Sequence, residues 1–553
     1  MKHPSRRIAQ ALAWLLTLML VVSCAAAPAE TGADSSPESA TEAESADAAE
    51  PQEGGTLTFA FIQKPRSLDP NVWTGRSDND VMRQIFDSLV YSPAPGEYSP
   101  WLAESWEISE DGLVYTFKLR EDVTFHDGTP LNAEAVKFTW ERMLDPETRS
   151  LRAGDLGPYD RTEVIDEFTV ALHLTEPFAP LLANMSSTPL SPASPAAIEE
   201  YGEEYAQNPV GTGPFMFEKW EGNDLHLVRN PDYNWAPAEL SHDGPAYLER
   251  IVVREVSEAA TRLATLQTGE ANITHYPVFD EVANMQEMGF TVHRVDTPGF
   301  AKSMPINIMR TPTDDLLVRQ AILHGVDRQQ VIDLVQAGWN NVAHGPLTQV
   351  TFGYDESVEG MYEYDPEKAA ALLEEAGWVD SDGDGIREKD GEPLTLDMIM
   401  FDSTTNKSLA ELVQAILTEL GFETTLEVTP YDAFAQRVTE GTYNLAEMNW
   451  TALDPHLVLF NMFHSSQVTG GGQFNRTRVQ EEMLDSLIER ARSATDPQER
   501  RELYAEIQQF AMENALLLPI WDNAWLTLTA DNVNGLAFDL EGRPILYNVW
   551  IAE

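Results

Sequence analysis

Gly55-Thr56-Leu57-Thr58-Phe59-Ala60-Phe61 alternates large apolar residues with small or polar ones. Successive side chains of an extended chain point to opposite sides, so Leu57, Phe59 and Phe61 share one face of an opening strand. Nothing comparable lies just before it. From Ala25 to Glu53 the chain is dominated by Ala, Ser, Thr, Pro and acid, with no basic and no large apolar residue. Such a segment cannot bury a core, so residues 24–53 read as an acidic disordered tether, with folded structure starting at Gly54.

The segment before the tether has a different character. Lys2, Arg6 and Arg7 precede an almost wholly apolar run from Ile8 to Val22, closed by Ser23-Cys24-Ala25-Ala26. That is the layout of a signal peptide over residues 1–23. The run falls short of the roughly 20 residues needed to span a bilayer. Val21-Val22-Ser23-Cys24 resembles a bacterial lipobox, with valine in place of the usual leucine at its first position. Cys24 is the single cysteine of the chain. An internal disulfide, a thiolate metal site and a cysteine nucleophile elsewhere are therefore excluded. The expectation is export and lipid anchoring through Cys24 to the outer face of the cytoplasmic membrane.

Beyond the strand the body reads as mixed α/β. Val114–Leu119 and Phe168–Leu174 alternate as strands, and Ile251-Val252-Val253 reads as a buried one. Asp365-Pro366 opens a helix, with Asp as cap and Pro at the first helical position. Ala369, Leu372, Leu373 and Ala376 form its apolar face, and Gly377 ends it. Asp496-Pro497-Gln498-Glu499 opens another, resembling a capping box, with Leu503, Ile507 and Phe510 as its stripe. A helix is expected from about Pro312 to Gly338, and a strand over Pro305-Ile306-Asn307-Ile308. The net charge of −54 argues against nucleic-acid binding and against adhesion to anionic head groups.

Several segments together resemble one family, the extracellular solute-binding proteins of peptide, dipeptide and nickel ABC transporters (bacterial extracellular solute-binding protein family 5). They run in family order: Gly54-Gly55-Thr56-Leu57 with Ser67-Leu68-Asp69-Pro70, Asp87-Ser88-Leu89-Val90-Tyr91, Leu102-Ala103-Glu104-Ser105-Trp106, and Val123 to Leu131 with Ala133 to Phe138. Pro209 to Phe215, Asn230-Pro231-Asp232-Tyr233, Arg319-Gln320-Ala321-Ile322 with Asp327-Arg328, and Tyr364-Asp365-Pro366 follow. The resemblance implies a class II periplasmic-binding fold, two lobes around a ligand cleft with an added domain. Lobe I would comprise 54–96, 212–302 and 520–553, the inserted domain 97–211 and lobe II 303–519. It also implies a non-enzymatic, monomeric receptor that delivers a peptide or similar small solute to membrane permease subunits and their ATPases. The turn-rich Gly211-Thr212-Gly213-Pro214 suits a crossing between domains.

A cleft for a small solute needs aromatic walls and a few directed polar groups. Asn449-Trp450-Thr451-Ala452-Leu453-Asp454-Pro455 is the best constellation. In the resemblance, Trp450 matches a tryptophan wall of the peptide binders. The aspartate that pairs with a peptide's amino terminus would stand three residues on, where this chain has Leu453. Asp454 follows one residue later. This departure points away from a free α-amine and towards a blocked or cyclic peptide, a sugar or another ligand. Trp73, Arg76, Phe300 and Phe474 are further candidates, and Gly470-Gly471-Gly472 could let backbone approach a ligand.

Asp380-Ser381-Asp382-Gly383-Asp384-Gly385 matches the first half of a calcium loop, with Glu388 and Glu392 as further oxygen donors. Gly391 stands at the twelfth position, where an EF-hand has glutamate. The two readings are a structural Ca²⁺ and a polar turn; no other cofactor is expected. His456 and His464 could form a metal site or be scattered surface histidines. No Gly-x-Ser-x-Gly, His-Glu-x-x-His or phosphate-binding loop is present. The alternatives to a peptide receptor are an extracellular hydrolase or metal-dependent enzyme on a similar scaffold, and a receptor for sugar or metal chelate. The leader carries its own test: Cys24→Ser is expected to move the protein from the membrane fraction to the soluble one, and retention in membranes would remove the anchor.

Overall fold

The structure, a computed structural model, describes residues 50–72, 75–240, 242–468 and 474–552. The signal peptide, Cys24, nearly all of the tether, Trp73 and Gly470-Gly471-Gly472 lie outside the described residues.

The opening strand is Thr56–Phe61, and it sits inside a seven-stranded sheet. The sheet order is 291–296, 524–529, 273–275, 56–61, 250–255, 224–229 and 215–221. Thr56–Phe61 runs parallel to both neighbours, pairing Phe59 with Val253 on one side and with Ile273 on the other. Its alternation has a direct structural reading. Leu57, Phe59 and Phe61 face a large core, whereas Ala60 faces a smaller one with Leu263, Leu266 and Met285. Full burial of each large side chain contributes about 1.5–3 kcal/mol. The small core is roofed by the helices Ala259–Gln267 and Phe279–Glu287.

An antiparallel sheet of four strands, Ala103–Ile108, Val114–Leu119, Thr169–Leu174 and Tyr159–Asp166, forms between residues 97 and 211. It shares the large core of the seven-stranded sheet, since Phe117, Leu172 and Trp140 pack in the same cluster as Phe59 and Leu227. Gly211 and Gly213 make the return passage possible. A side chain at Gly213 would meet the Ile85 backbone at 2.5 Å, and Gly213 N donates to Ile85 O at 2.8 Å.

A second large core gathers Phe300, Met304, Leu396, Met398, Leu409 and Ile507. Two three-stranded sheets run through it: Met448–Thr451, Gly299–Pro305 and Leu517–Trp521 in one, Glu423–Thr429, Thr395–Phe401 and Leu445–Ala446 in the other. Glu447 is the residue between them. It is buried against Lys302, whose Nζ donates to it at 2.6 Å and to Asn406 Oδ1 at 2.7 Å. Chain passes between this part and the seven-stranded sheet at two places, 296–299 and 521–524. The two passages touch: Thr297 N donates to Asn523 O, and Asn523 Nδ2 donates to Phe300 O, each at 2.9 Å.

The expected caps form. Asp365 accepts from Lys368 N at the start of Pro366–Glu375, and Asp496 accepts from Gln498 N and Glu499 N at the start of Pro497–Glu513. Gly377 adopts a left-handed φ of +89° just past the first of these helices. Two expectations are corrected. The helix expected over 312–338 is two helices, Leu316–Gly325 and Arg328–Gln336. Asp327 interrupts them because its carboxylate accepts from Gln330 N and caps the second. The strand expected over 305–308 instead runs Gly299–Pro305, where the chain pairs on both sides; Ile306 keeps a single bridge to Leu445. Among the described residues no helix is long and apolar enough to cross a membrane.

Candidate functional site

A cavity of about 230 Å³ lies where three parts of the chain meet. One wall comes from the helix Arg76–Ile85 and the C-terminal segment, through Arg76, Asn79, Trp525 and Arg543. The four-stranded region contributes Arg152 and the stretch around Ser187, and the second core contributes Trp450 to Asp454.

Trp450 is the penultimate residue of the short strand Met448–Thr451, which pairs Phe300 with Trp450 and Gly299 with Thr451. Gly299 is required there, because a side chain would meet Trp450 O at 2.2 Å. The half-buried Trp450 ring tilts against Phe474, centroids 5.2 Å apart. Asp454 then caps the helix Pro455–Phe463, accepting from His456 N. Arg500 Nη2 donates to its carboxylate at 2.7 Å and Tyr504 Oη at 3.3 Å. Burial alone would lower the Arg500 guanidinium, but the Asp454 charge, Tyr504 and the hydrogen bonds to both together outweigh it and hold Arg500 above its ordinary value. Asp454 therefore touches the cavity with both carboxylate oxygens already bonded within the protein.

The opposite wall has the reverse character. Arg76 stacks over Trp525 at 4.4 Å, donates to the Glu541 and Gly542 carbonyls at 2.5 and 2.6 Å, and pairs with Asp80 at 3.1 Å. Burial pushes the Asp80 carboxyl up to about 6, against the pull of Arg76 and Arg543. Arg543 bonds Glu541 and lies near Asp539, and those carboxylates hold it up although burial alone would lower it.

The structure thus brings Arg76, Trp450 and Asp454 to one cavity, with Phe474 behind Trp450. Phe300 is fully buried in the second core, its ring 6.2 Å from Phe463, and does not reach the cavity. Asn449 is exposed on the same strand as Trp450 and lies outside the lining. Asn79, Arg152, Trp525 and Arg543 were not legible in the sequence; they come from widely separated segments and no spacing joins them.

The acidic loop is a separate locus. Asp380, Asp382, Asp384 and Glu388 each place one ligand oxygen within 4.8 Å of the others, so these four could hold a cation. Glu392 is not among them; it pairs with Lys389 across a two-residue hairpin. His456 is buried against Phe178 and Phe460, whereas His464 contacts Ser466 and Glu489.

Residues 97–470 match the family model described as bacterial extracellular solute-binding proteins, family 5 middle. The chain belongs to the family 5 solute-binding proteins. It is 30% identical over 480 residues to the glutathione-binding protein GsiB of Pectobacterium atrosepticum, covering 84% of this chain and 87% of that one. Among solved structures, NikA of Brucella suis in complex with Fe(III)-EDTA is similar with a TM-score of 0.80 and 27% identity, over 90% of this chain and all of that one. DppA of Helicobacter pylori in complex with the peptide STSA gives 0.73 and 27%, over 91% and 99%. This family 5 protein accordingly has the periplasmic-binding fold of that type, and the two cores are its lobes.

Asp454→Ala leaves Arg500 as an unpaired buried charge, which costs about 3–5 kcal/mol, whereas removing both charges with well-packed apolar residues costs far less. Urea unfolding of Asp454→Ala and of the double variant Asp454→Leu/Arg500→Met is expected to show that contrast. Equal losses in both would remove the pair from this role.

Proposed function

We propose that this family 5 protein is a lipid-anchored receptor of an ABC importer, exported and held at the membrane through Cys24, that captures a peptide or similarly sized solute between its lobes without turning it over. The observation that carries the reading is the cavity itself, lined at once by Arg76 and Trp525 from one lobe and by Trp450 to Leu453 from the other. A ligand that touches both walls favours the arrangement in which they face each other, so its binding energy is coupled to closure. The transporter can then respond to closure instead of to solute chemistry. A volume of about 230 Å³ is below the roughly 300–1,000 Å³ of pockets for drug-sized ligands, which favours a short solute.

The relatives support this reading and leave its chemistry broad. One is named for glutathione, and the two solved structures hold a tetrapeptide-length ligand, STSA, and an iron chelate. Those are short, polar solutes rich in carboxylate or amide oxygen.

The proposal extends to a structural Ca²⁺ on the loop Asp380–Glu388. Three features support it: the four gathered carboxylates, the turn in which Asp380 accepts from Gly383 N and Gly385 N, and Glu388 at the ninth position as a donor where Gly391 supplies none at the twelfth.

Two measurements check these readings. Tryptophan fluorescence titrated with a short-peptide library is expected to show saturable changes in the native protein and at least about tenfold weaker binding in Trp450→Ala, since buried aromatics dominate such contacts. Unchanged affinity would take Trp450 out of the site. Calorimetry of chelator-stripped protein is expected to show heat on adding Ca²⁺, with about 2.7 kcal/mol of added stability at a hundredfold excess over Kd. No heat and no rise in Tm would remove the ion.

A further inference from the structure

The two passages between the lobes each carry a carboxylate, and the two stand on opposite sides of the bend. Asp296 is the last residue of its strand in the seven-stranded sheet, where it pairs with Ala524. Asp522 is held from lobe II. Its N–H donates to Asn341 O at 2.9 Å, Asn340 Nδ2 donates to its carbonyl at 2.8 Å, and Gln349 N donates to its Oδ2 at 3.2 Å. The grip of lobe II also reaches the other passage: Thr348 Oγ1 donates to Thr297 O and Gly299 N to Thr351 Oγ1, each at 2.8 Å. The bend therefore lies between 522 and 524 on one passage and between 296 and 297 on the other, with one acid on either side of it.

Asp522 is buried without a counter-ion. It is 3% exposed, its Oδ1 has no hydrogen-bond partner, and among the described residues no Lys, Arg or His pairs with it. Four charged or titratable groups surround it. The strand 291–296 of lobe I brings Asp296 and Arg294; lobe II brings Glu359 and Tyr354, whose hydroxyl donates to Glu359 at 3.1 Å. The single cation among them is engaged elsewhere: Arg294 pairs with Asp296 at 2.5 Å, and its Nε donates across the bend to Trp339 O of lobe II at 2.8 Å. Burial, with Asp296 and Glu359 adding to it, pushes the Asp522 carboxyl up to about 7, against the pull of Gln349 N and Arg294.

We propose that Asp522 is a proton-operated stop on the hinge: protonated, it lets the lobes close, and ionised, it drives them apart. Closure shuts Asp522 between the strand 291–296 and the segment 340–349, with the Arg294–Trp339 bond spanning the bend. Rotation of lobe I away breaks that bond, moves Asp296 off Asp522 and admits water to Oδ1, so the ionised form gains most from opening. The sign follows from the burial. Asp522 holds its proton more tightly closed than open, so the closed state binds more protons between the ordinary carboxylate value near 4 and about 7. The advantage of closure is fully present below that window. It is lost as pH rises through it, by up to about tenfold in the closed-to-open ratio per pH unit. The device acts on the hinge and is independent of which solute the cavity takes.

Small-angle scattering of the ligand-free protein from about pH 4.5 to about pH 8.5 tests it, at about 0.5 M salt, where a Debye length of roughly 4 Å screens the acidic surface at large. The radius of gyration of the native protein is expected to rise with pH, with a midpoint between about 5 and 7. Asp522→Asn, which cannot ionise, is expected to stay compact throughout. Asp296→Asn removes the repulsion and releases Arg294 towards Asp522, so it is expected to move the native midpoint down by at least about half a pH unit. No rise in the native protein, or the same rise in Asp522→Asn, overturns the proposal. So does an unmoved midpoint in Asp296→Asn, which decides the matter by itself should Asp522→Asn not fold. Solute capture is read separately, by calorimetry with trialanine at about pH 5, so failure of the hinge device and failure of the receptor reading give different results.

Discussion

Two adjacent passages of chain carry the whole covalent connection between the lobes. Thr297 and Asn523 bond across them, so 296–299 and 521–524 lie side by side. Everything functional in the molecule depends on that constraint. Because the passages are side by side, rotation of one lobe on the other is permitted about their common line, whereas sliding would break the Thr297 and Asn523 bonds. The same segment runs straight into the strand Gly299–Pro305, which pairs with the strand of Trp450 on one side and Leu517–Trp521 on the other. The wall of the cavity is thus built on the first strand beyond the crossing, and its position follows the crossing directly.

The two lobes support their walls with different partners. In lobe II the segment after Trp450 is fixed by the buried pair of Asp454 with Arg500, which stiffens the turn into the helix Pro455–Phe463 and commits both carboxylate oxygens to bonds within the protein. In lobe I, Arg76 is held by Asp80 and by the Glu541 and Gly542 carbonyls, and Arg543 by Glu541 and Asp539. A buried charge is tolerated only when paired, so on both walls the charged side chains are fixed by partners within the protein.

Much of the fold was legible because local signals agreed with the tertiary answer. The alternation of Leu57, Phe59 and Phe61, the Asp-Pro openings at 365 and 496, and the strand over Val114–Leu119 each satisfy a local rule that packing then exploits. The errors have the same kind of cause. The apolar spacing from Leu316 onwards continued through Asp327, but a side-chain cap interrupts a helix without disturbing its hydrophobic period. Trp450 and Arg76 could be chosen from the sequence because aromatic and charged residues near strand ends suit clefts; Phe300 met the same criterion and is buried, since spacing does not report which face of a strand looks inwards. Asn79, Arg152 and Arg543 were out of reach, because their meeting is created by the return of the C-terminal segment and by the packing of residues 97–211 on the same core.

Beyond the crossing, residues 176–179 also touch the part of the chain that holds the second core. Ala179 N donates to Arg492 O at 2.9 Å, the side chain of Arg492 pairs with Glu176 at 3.1 Å, and Phe178 lies edge-on to His456. The ion pair is partly exposed and is worth about 0–1 kcal/mol, and the backbone bond about 1 kcal/mol. Contacts this light have a consequence for signalling. A receptor whose lobes gripped each other firmly when empty would present itself to its transporter as loaded and waste transport cycles. Here the polar contacts at residues 176–179 add only a low background to closure.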